Sequence, residues 1–301
     1  MYFGIDGGGT YSRIAVTDRD GNVVAGAEAG STNIYSVTRD EVLANLGKLL
    51  DGAVKTAGIK KSDLKAGCLG SAGLGREGEQ MLFRGFFDTL LGSEFPVKLC
   101  SDAEILLCGG LRGLEGYCLI SGTGSAAFGR SADGRLVRAG GHGYLLGDEG
   151  SASWIGRTAI ARVLRSLEGR DISTQMLPQI LKTTRLDNSG DLIQYVHHDA
   201  DKARIAALAP AVTSAAEAGD PLALDILHTG ARELALLVCS VVKQSPWINR
   251  RELVIAGGVI EHNGIIAGGL REILSRELPG LKVSPPAGTA LEGACILARS
   301  L

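Results

Sequence analysis

Residues 2–16 read YFGIDGGGTYSRIAV, which places a glycine turn between two short apolar segments. The apolar segments predict two strands, with Asp6 at the end of the first and Thr10 at the start of the second. Three consecutive glycines remove every side chain from the turn, so the backbone can approach another group closely. A hairpin needs only two turn residues. The additional glycine therefore indicates that this turn holds a ligand.

The same order of features returns from residue 117 onward. A strand over 117–120 leads into the turn Ser121–Ser125 (SGTGS), a second strand over 126–130, an Asp-Gly turn and a third strand. Backbone N–H groups and hydroxyls where a strand reverses form a concavity that suits phosphate oxygens. The repetition predicts two similar lobes whose glycine turns face each other across a cleft. A further glycine turn, AGGV at 256–259, strengthens the prediction of a nucleotide site.

The remaining periodicity predicts an α/β fold with a β-hairpin at the front and parallel strands behind it. We expect two lobes, residues 1–115 and 116–301, and the second has a large helical portion over about 152–245. A last helix over 291–301 is expected to pack back on the first lobe.

Composition excludes several classes of partner. The net charge is −2 and the isoelectric point is near 6.2, so no attraction to nucleic acid or to anionic lipid is expected. The longest apolar run is about half of what a membrane span needs, and no secretion signal precedes the first strand. The six cysteines form no C-x-x-C pair, which is typical of reduced, buried thiols in a cytoplasmic protein.

Other motifs carry less weight. No Walker A sequence occurs, and the G-x-G-x-x-G at 73–78 has no acid about 20 residues later, so we interpret it as a loop at the cleft edge. His197, His198 and Asp199 are adjacent on a predicted helix and would not face one metal ion. A solvated helix end is the favoured interpretation.

The three turns together resemble the phosphate and adenosine motifs of the sugar kinase, Hsp70 and actin superfamily of ATPases. That superfamily has two ribonuclease H-like lobes around an ATP cleft. Within it, the segments STN (31–33), SDA (101–103) and GHGYLLGDEGS (141–151) resemble the N-acetylglucosamine kinase and BadF/BadG/BcrA/BcrD ATPase family. The resemblance covers essentially the whole chain.

The resemblance implies a role for particular residues. Contacts to ATP would come from Gly8, Gly9, Thr10, Gly122, Thr123, Gly124, Gly257 and Gly258. Contacts to a sugar would come from Asn33, Asp102, Ser125, Gly141, His142, Gly143 and Asp148. Asp102 would also be the catalytic base, and Mg²⁺ would lie near Asp6 and be held through water.

Simpler interpretations remain open for several of these residues. Asp102 could be a helix N-cap, and Asp148 could cap the helix that follows Ser151. Asn33 and His142 could be ordinary loop residues. The family commonly has Trp at the position of His142, and its animal kinases have Asn at the position of Ala126. Both departures lie on the substrate side, and they leave the identity of the sugar open.

The expected function is an ATP-dependent kinase that phosphorylates a hydroxyl of an amino sugar such as N-acetylglucosamine or glucosamine. The 6-hydroxyl is the expected acceptor. The resemblance also implies a homodimer. One alternative is a BadF-type ATPase that drives a partner reductase or dehydratase through an iron–sulfur cluster held between subunits. The other is a non-catalytic nucleotide or sugar sensor on the same fold.

Overall fold

The computed structural model describes residues 1–301 and contains two five-stranded sheets. The first sheet has the order β3-β2-β1-β4-β5. Its β1–β2 and β2–β3 pairs are antiparallel, whereas β1–β4 and β4–β5 are parallel. The strands are β1 (Tyr2–Gly7), β2 (Tyr11–Thr17), β3 (Val23–Gly30), β4 (Ala66–Ser71) and β5 (Val97–Cys100). The predicted hairpin front with parallel additions is therefore present.

Three helices accompany this sheet: α1 (Arg39–Ala57), α2 (Glu77–Leu91) and α3 (Asp102–Gly110). A capping box of Thr38 and Glu41 begins α1, and Gly58 ends it in the left-handed region. The buried faces of α1 and α2 pack on the sheet around the fully buried Phe3.

The second sheet repeats the first in strand order and direction. Its order is β10-β9-β6-β7-β8, in which β6, β7 and β8 are antiparallel neighbours and β9 and β10 join in parallel. The strands are β6 (Gly116–Ser121), β7 (Ser125–Arg130), β8 (Leu136–Gly140), β9 (Glu252–Ala256) and β10 (Lys282–Ser284). The first strand of each half, β1 or β6, lies in the middle of its sheet and is followed by a glycine turn.

Helices fill most of the chain between β8 and β9 and after β9. They are α4 (Ala152–Leu167), α5 (Leu177–Thr184), α6 (Asp191–Gln194), α7 (Lys202–Ala206), α8 (Ala209–Glu217), α9 (Pro221–Gln244), α10 (Gly258–His262), α11 (Gly264–Glu277) and α12 (Ala290–Arg299). A π-helical turn over Tyr195–Asp199 follows α6. The largest core cluster lies between the second sheet and these helices. None of the helices combines the length and the apolar character that crossing a membrane requires.

The last helix lies against the first sheet. At Gly4 in β1, an added Cβ would be only 2.5 Å from the backbone nitrogen of Cys295 in α12. Between α3 and α12, a Cβ at Gly293 would overlap the carbonyl oxygen of Ile105, and one at Gly109 would overlap that of Thr289. The two helices therefore meet backbone to backbone.

This contact predicts opposite effects for two helical Gly→Ala substitutions. Gly293→Ala should lower the free energy of unfolding by about 1–3 kcal/mol, because the new methyl group overlaps backbone that has no room to move. Gly268→Ala, where nothing lies within 4 Å of the added Cβ, should raise it by about 0.5–1 kcal/mol through helix propensity. Urea unfolding of both variants checks this, and equal shifts would contradict it.

Candidate active site

The first glycine turn connects β1 to β2 and lines a cavity of about 220 Å³ together with Asp6 and Arg13. A Cβ at Gly8 would overlap the carbonyl oxygen of Tyr11, so the turn itself requires glycine there. Gly9 and Thr10 are exposed in this cavity. Their exposure leaves them free to contact a ligand.

Residues 31–33 form hydrogen bonds that hold this turn in place. Ser31 Oγ donates a hydrogen bond to the Gly8 carbonyl at 3.1 Å, and the Thr32 N–H donates to Ser12 Oγ at 3.1 Å. Asn33 Oδ1 accepts from the Tyr35 N–H at 2.9 Å, and its side chain lies beside Gly9. Asn33 is thus next to the first turn and outside the larger cavity described below.

Asp6 is paired with a cation. Its Oδ2 accepts a hydrogen bond from Arg13 Nη2 at 2.9 Å, and the two residues are cross-strand partners in β1 and β2. This hydrogen bond raises the pKa of the Arg13 guanidinium. The spacing of these residues in the sequence did not reveal the pair.

The second glycine turn rests on the start of α4. The carbonyl oxygens of Gly122 and Thr123 accept hydrogen bonds from the backbone N–H groups of Ala152 at 2.9 Å and Ser153 at 3.4 Å. Ser151 caps the helix by accepting from the Trp154 N–H at 3.3 Å. The turn therefore has a fixed position relative to α4.

Two large cavities adjoin this second turn. One, of about 690 Å³, is lined by Gly122, Thr123 and Gly258 and by residues of α7 and α8. The other has a volume of about 870 Å³. The predicted site residues that line it are Asp102, Gly124, Ser125, Gly141, Gly143 and Asp148. The turn lies on the boundary between the cavities.

Besides Asn33, two predicted residues lie outside all three of these cavities. Gly257 has a φ of 105°, and a Cβ there would overlap the Ser121 carbonyl oxygen, so it supports the turn from behind. His142 is exposed and lines a separate depression of about 410 Å³ with Glu149 and Glu233.

Asp102 is the first residue of α3, directly after β5. Ser101 is the N-cap, because its hydroxyl accepts from the Glu104 N–H at 3.2 Å. The Asp102 Oδ1 accepts a hydrogen bond from its neighbour Ala103 at 2.9 Å, and no cation lies within ion-pairing distance. The carboxylate opens to solvent in the cleft, yet the surrounding walls reduce its hydration and raise its pKa, and the charge of Asp6 adds to this effect.

Asp148 differs from Asp102 in backbone conformation, exposure and charge pairing. It has a φ of 59°, which is uncommon for a residue other than glycine. Its side chain is 3% exposed, and its Oδ2 accepts from Lys202 Nζ at 2.7 Å. Ser151 caps α4, so Asp148 is not the cap. Ser125 Oγ donates to the Glu149 carbonyl at 2.7 Å, which holds the 148–150 segment against β7.

Behind Asp102 lies a buried ion-pair network. Glu104 Oε1 is 2.8 Å from Arg130 Nε and 3.1 Å from Lys98 Nζ, and the side chains of Glu104 and Arg130 are 3% and 4% exposed. The Glu104–Arg130 pair joins α3 to β7. It therefore connects the half of the chain that contains the first sheet to the half that contains the second sheet.

Of the six cysteines, only Cys100 lines one of these cavities, the larger one, beside Ser101 and Asp102. All six are free; Cys239 is half-buried and the others are buried. Burial raises the pKa of the Cys108 and Cys118 thiols to about 12. Cys68 and Cys100 are adjacent, with their sulfur atoms 3.8 Å apart inside the core.

The repeated sheets and the glycine turns between them define a two-lobe α/β ATPase fold of the sugar kinase and actin type. The sequence profile of the BadF/BadG/BcrA/BcrD ATPase family matches residues 3–298, and the chain belongs to this family. The resemblance seen in the sequence is thereby confirmed.

Individual proteins agree with this assignment. The chain is 35% identical over 299 residues to the N-acetylmuramic acid/N-acetylglucosamine kinase of Clostridium acetobutylicum, covering 99% of this chain and 97% of that one. A structure from Chromobacterium violaceum, described as a proposed N-acetylglucosamine kinase, matches with a TM-score of 0.72, 26% identity and 98% coverage of both chains. The ROK hexokinase of Thermus thermophilus shares the fold, with a TM-score of 0.63, 18% identity and coverage of 99% and 97%.

The Glu104 network predicts a large loss of stability on neutralisation. Glu104→Gln should lower the free energy of unfolding by about 3–5 kcal/mol, because it leaves the buried Arg130 without a counter-charge. Glu168→Gln, which breaks an exposed pair with Arg170, should change it by less than about 0.5 kcal/mol. Urea unfolding midpoints of the two variants check this prediction. Similar shifts would show that the buried pair contributes no more to stability than the exposed one.

Proposed function

We propose that this chain is an ATP-dependent kinase that phosphorylates a hydroxyl of an amino sugar, with the 6-hydroxyl of N-acetylglucosamine or glucosamine as the first candidate. The observation that carries the proposal is the Asp102 carboxylate, which faces the larger cavity and has no cation within ion-pairing distance. The neighbouring acids Asp6 and Asp148 are each paired. Phosphoryl transfer to a sugar hydroxyl requires a general base that accepts the hydroxyl proton. A carboxylate without a cationic partner can accept that proton.

The nucleotide would occupy the cavity of about 690 Å³ and the turns beside it. Phosphoryl transfer depends mainly on positioning and on neutralising charge. The N–H groups of Gly9 and Gly124 and the hydroxyls of Thr10 and Thr123 would hold the phosphates. Gly8 and Gly122 would shape the two turns, because their N–H groups already donate to Ser12 Oγ at 3.3 Å and to the Gly124 carbonyl at 2.9 Å. Gly258 lines the adenosine side, and Gly257 fixes its backbone. The phosphate chain would then end beside the sugar cavity.

The residues at the first turn fit a hydrated Mg²⁺ that arrives with the nucleotide. Mg²⁺ usually keeps several waters and binds through one or two carboxylates and substrate phosphates. Asp6 is the carboxylate that lines this turn. When bound, the ion would neutralise charge on the phosphates, and Asp6 would hold it through water.

The larger cavity has enough volume to accommodate different kinds of amino sugar. Its volume of about 870 Å³ lies in the upper range for small-molecule sites. Ser125, Gly141, Gly143 and Asp148 would contact the sugar inside the cavity, and Asn33 at the first turn and His142 in the neighbouring depression would contact it from outside. N-acetylmuramic acid is a second candidate, because Arg138 lines the cavity and offers a partner for an acidic substituent, and the Clostridium relative carries this sugar in its name.

The partner-driven ATPase is the less favoured alternative. An iron–sulfur cluster shared between subunits needs accessible cysteines, and Cys68 and Cys100 are 0% and 3% exposed. The retained, unpaired Asp102 argues against a non-catalytic sensor. We also propose that the kinase is a homodimer and that it is located in the cytoplasm.

A screen for sugar-dependent ADP release tests the function. Hexoses, hexosamines, N-acylated hexosamines and muramic derivatives are supplied with Mg²⁺ and ATP. We expect at least one amino sugar to stimulate ADP release well above that with glucose, with the phosphate on the 6-hydroxyl by NMR. Stimulation by none of them, together with iron in the purified protein, would favour the partner-driven ATPase.

Asp102→Asn tests the assignment of the base. We expect kcat to fall by about 10²–10⁴-fold, because the amide cannot accept the hydroxyl proton, while ADP binding measured by calorimetry stays unchanged. In the wild type, kcat/KM should decline as the pH falls through the raised pKa of Asp102, and the residual activity of the variant should lack this decline. Asp187→Asn, in an exposed loop, is the matched control. Wild-type kcat in Asp102→Asn would remove the assigned base.

A further inference from the structure

Helix α7 is the one short element that touches both large cavities. Its first residue, Lys202, lines the cavity of about 870 Å³ that also contains Asp102. Its next turn lines the cavity of about 690 Å³ through Ala203 and Ala206. The proposed sugar and nucleotide sites thus share a wall that is five residues long.

The Lys202 ammonium group lies at the junction of the two sites. Its Nζ is 2.7 Å from Asp148 Oδ2, and a Cβ added at Gly124 would be 2.8 Å from each of these two atoms. The ion pair therefore lies directly on the second glycine turn, where the absence of a side chain leaves room for it. Asp148 is 3% exposed, so it depends on this cation for its charge balance.

Helix α7 also packs against α4, the helix that supports the turn. A Cβ at Gly156 in α4 would overlap the carbonyl oxygen of Ile205 in α7, so the two helices meet at their backbones. The first N–H groups of α4 hold the carbonyls of Gly122 and Thr123. Movement of α7 against α4 would therefore move Lys202 relative to both the turn and Asp148.

We infer that Lys202 is a positioning residue that couples nucleotide binding to sugar binding. The inference rests on the proposed kinase function. A nucleotide that fills the smaller cavity packs against Ala203 and Ala206 and holds α7 in place. Lys202 then holds the Asp148 carboxylate in the orientation that receives the sugar. Each ligand therefore strengthens the binding of the other, as reciprocity of coupled sites requires.

Calorimetry with and without a non-hydrolysable ATP analogue tests the coupling. N-acetylglucosamine, or the best sugar of the screen, is titrated into the wild type, Lys202→Met, Lys202→Arg and the exposed control Lys182→Met. With the analogue and Mg²⁺ present, the wild type and Lys182→Met should bind the sugar about tenfold more tightly, within the usual range for coupled sites. Lys202→Met should lose this ratio, and Lys202→Arg should recover most of it.

The outcomes separate the inference from the function on which it rests. Sugar binding and phosphorylation in the wild type without any effect of the analogue would overturn the coupling alone. The same ratio in Lys202→Met as in the wild type would do so as well. Failure of the wild type to bind any sugar would instead overturn the proposed function. If Lys202→Met does not fold, Lys202→Gln replaces it; this variant keeps an N–H donor for Asp148 but removes the positive charge, and it too should lose the ratio, whereas a wild-type ratio would overturn the inference.

Discussion

The direct contact between the backbones of α3 and α12 is the constraint on which the site depends. Only glycine at positions 109 and 293 lets the helices approach so closely. Because α3 begins at Asp102, the position of α3 sets how far this carboxylate reaches into the cleft. The last helix of the chain thus helps to place the proposed base, although it contributes no residue to the cavity around it.

Charge is distributed unevenly around the cleft, and this distribution sets Asp102 apart from the other acids. Glu104, Asp148 and Asp6 each have a cationic partner. Glu104 is buried together with Arg130, whereas Lys202, the partner of the buried Asp148, is partly exposed. Asp102 has none, and reduced hydration raises its pKa. A paired carboxylate is stabilised as an anion and is a poor proton acceptor. An unpaired one in the same cleft is the better base.

The sequence was sufficient to predict the features that depend on neighbouring residues. The turns at 6–10 and 121–125, the repeated strand order and the α/β class follow from local patterns of glycine and apolar residues. The ion pairs did not follow, because Lys202 is 54 residues from Asp148 and Arg130 is 26 residues from Glu104. Only tertiary packing brings them together. The sequence also left open whether Asp102 is a cap, and the choice of Ser101 for that role depends on one hydrogen bond.

The segment from Gly140 to Gly150 has a consequence for protein engineering. Gly140, Gly141, Gly143, Asp148 and Gly150 all have φ between 59° and 91°. Other side chains are strained in this region of backbone space, so random libraries over these positions would consist mostly of misfolded members. Diversity is better placed at Ala126 and Arg138, which line the cavity from the regular strands β7 and β8. An altered acceptor range would then be reached with few variants and with the scaffold intact.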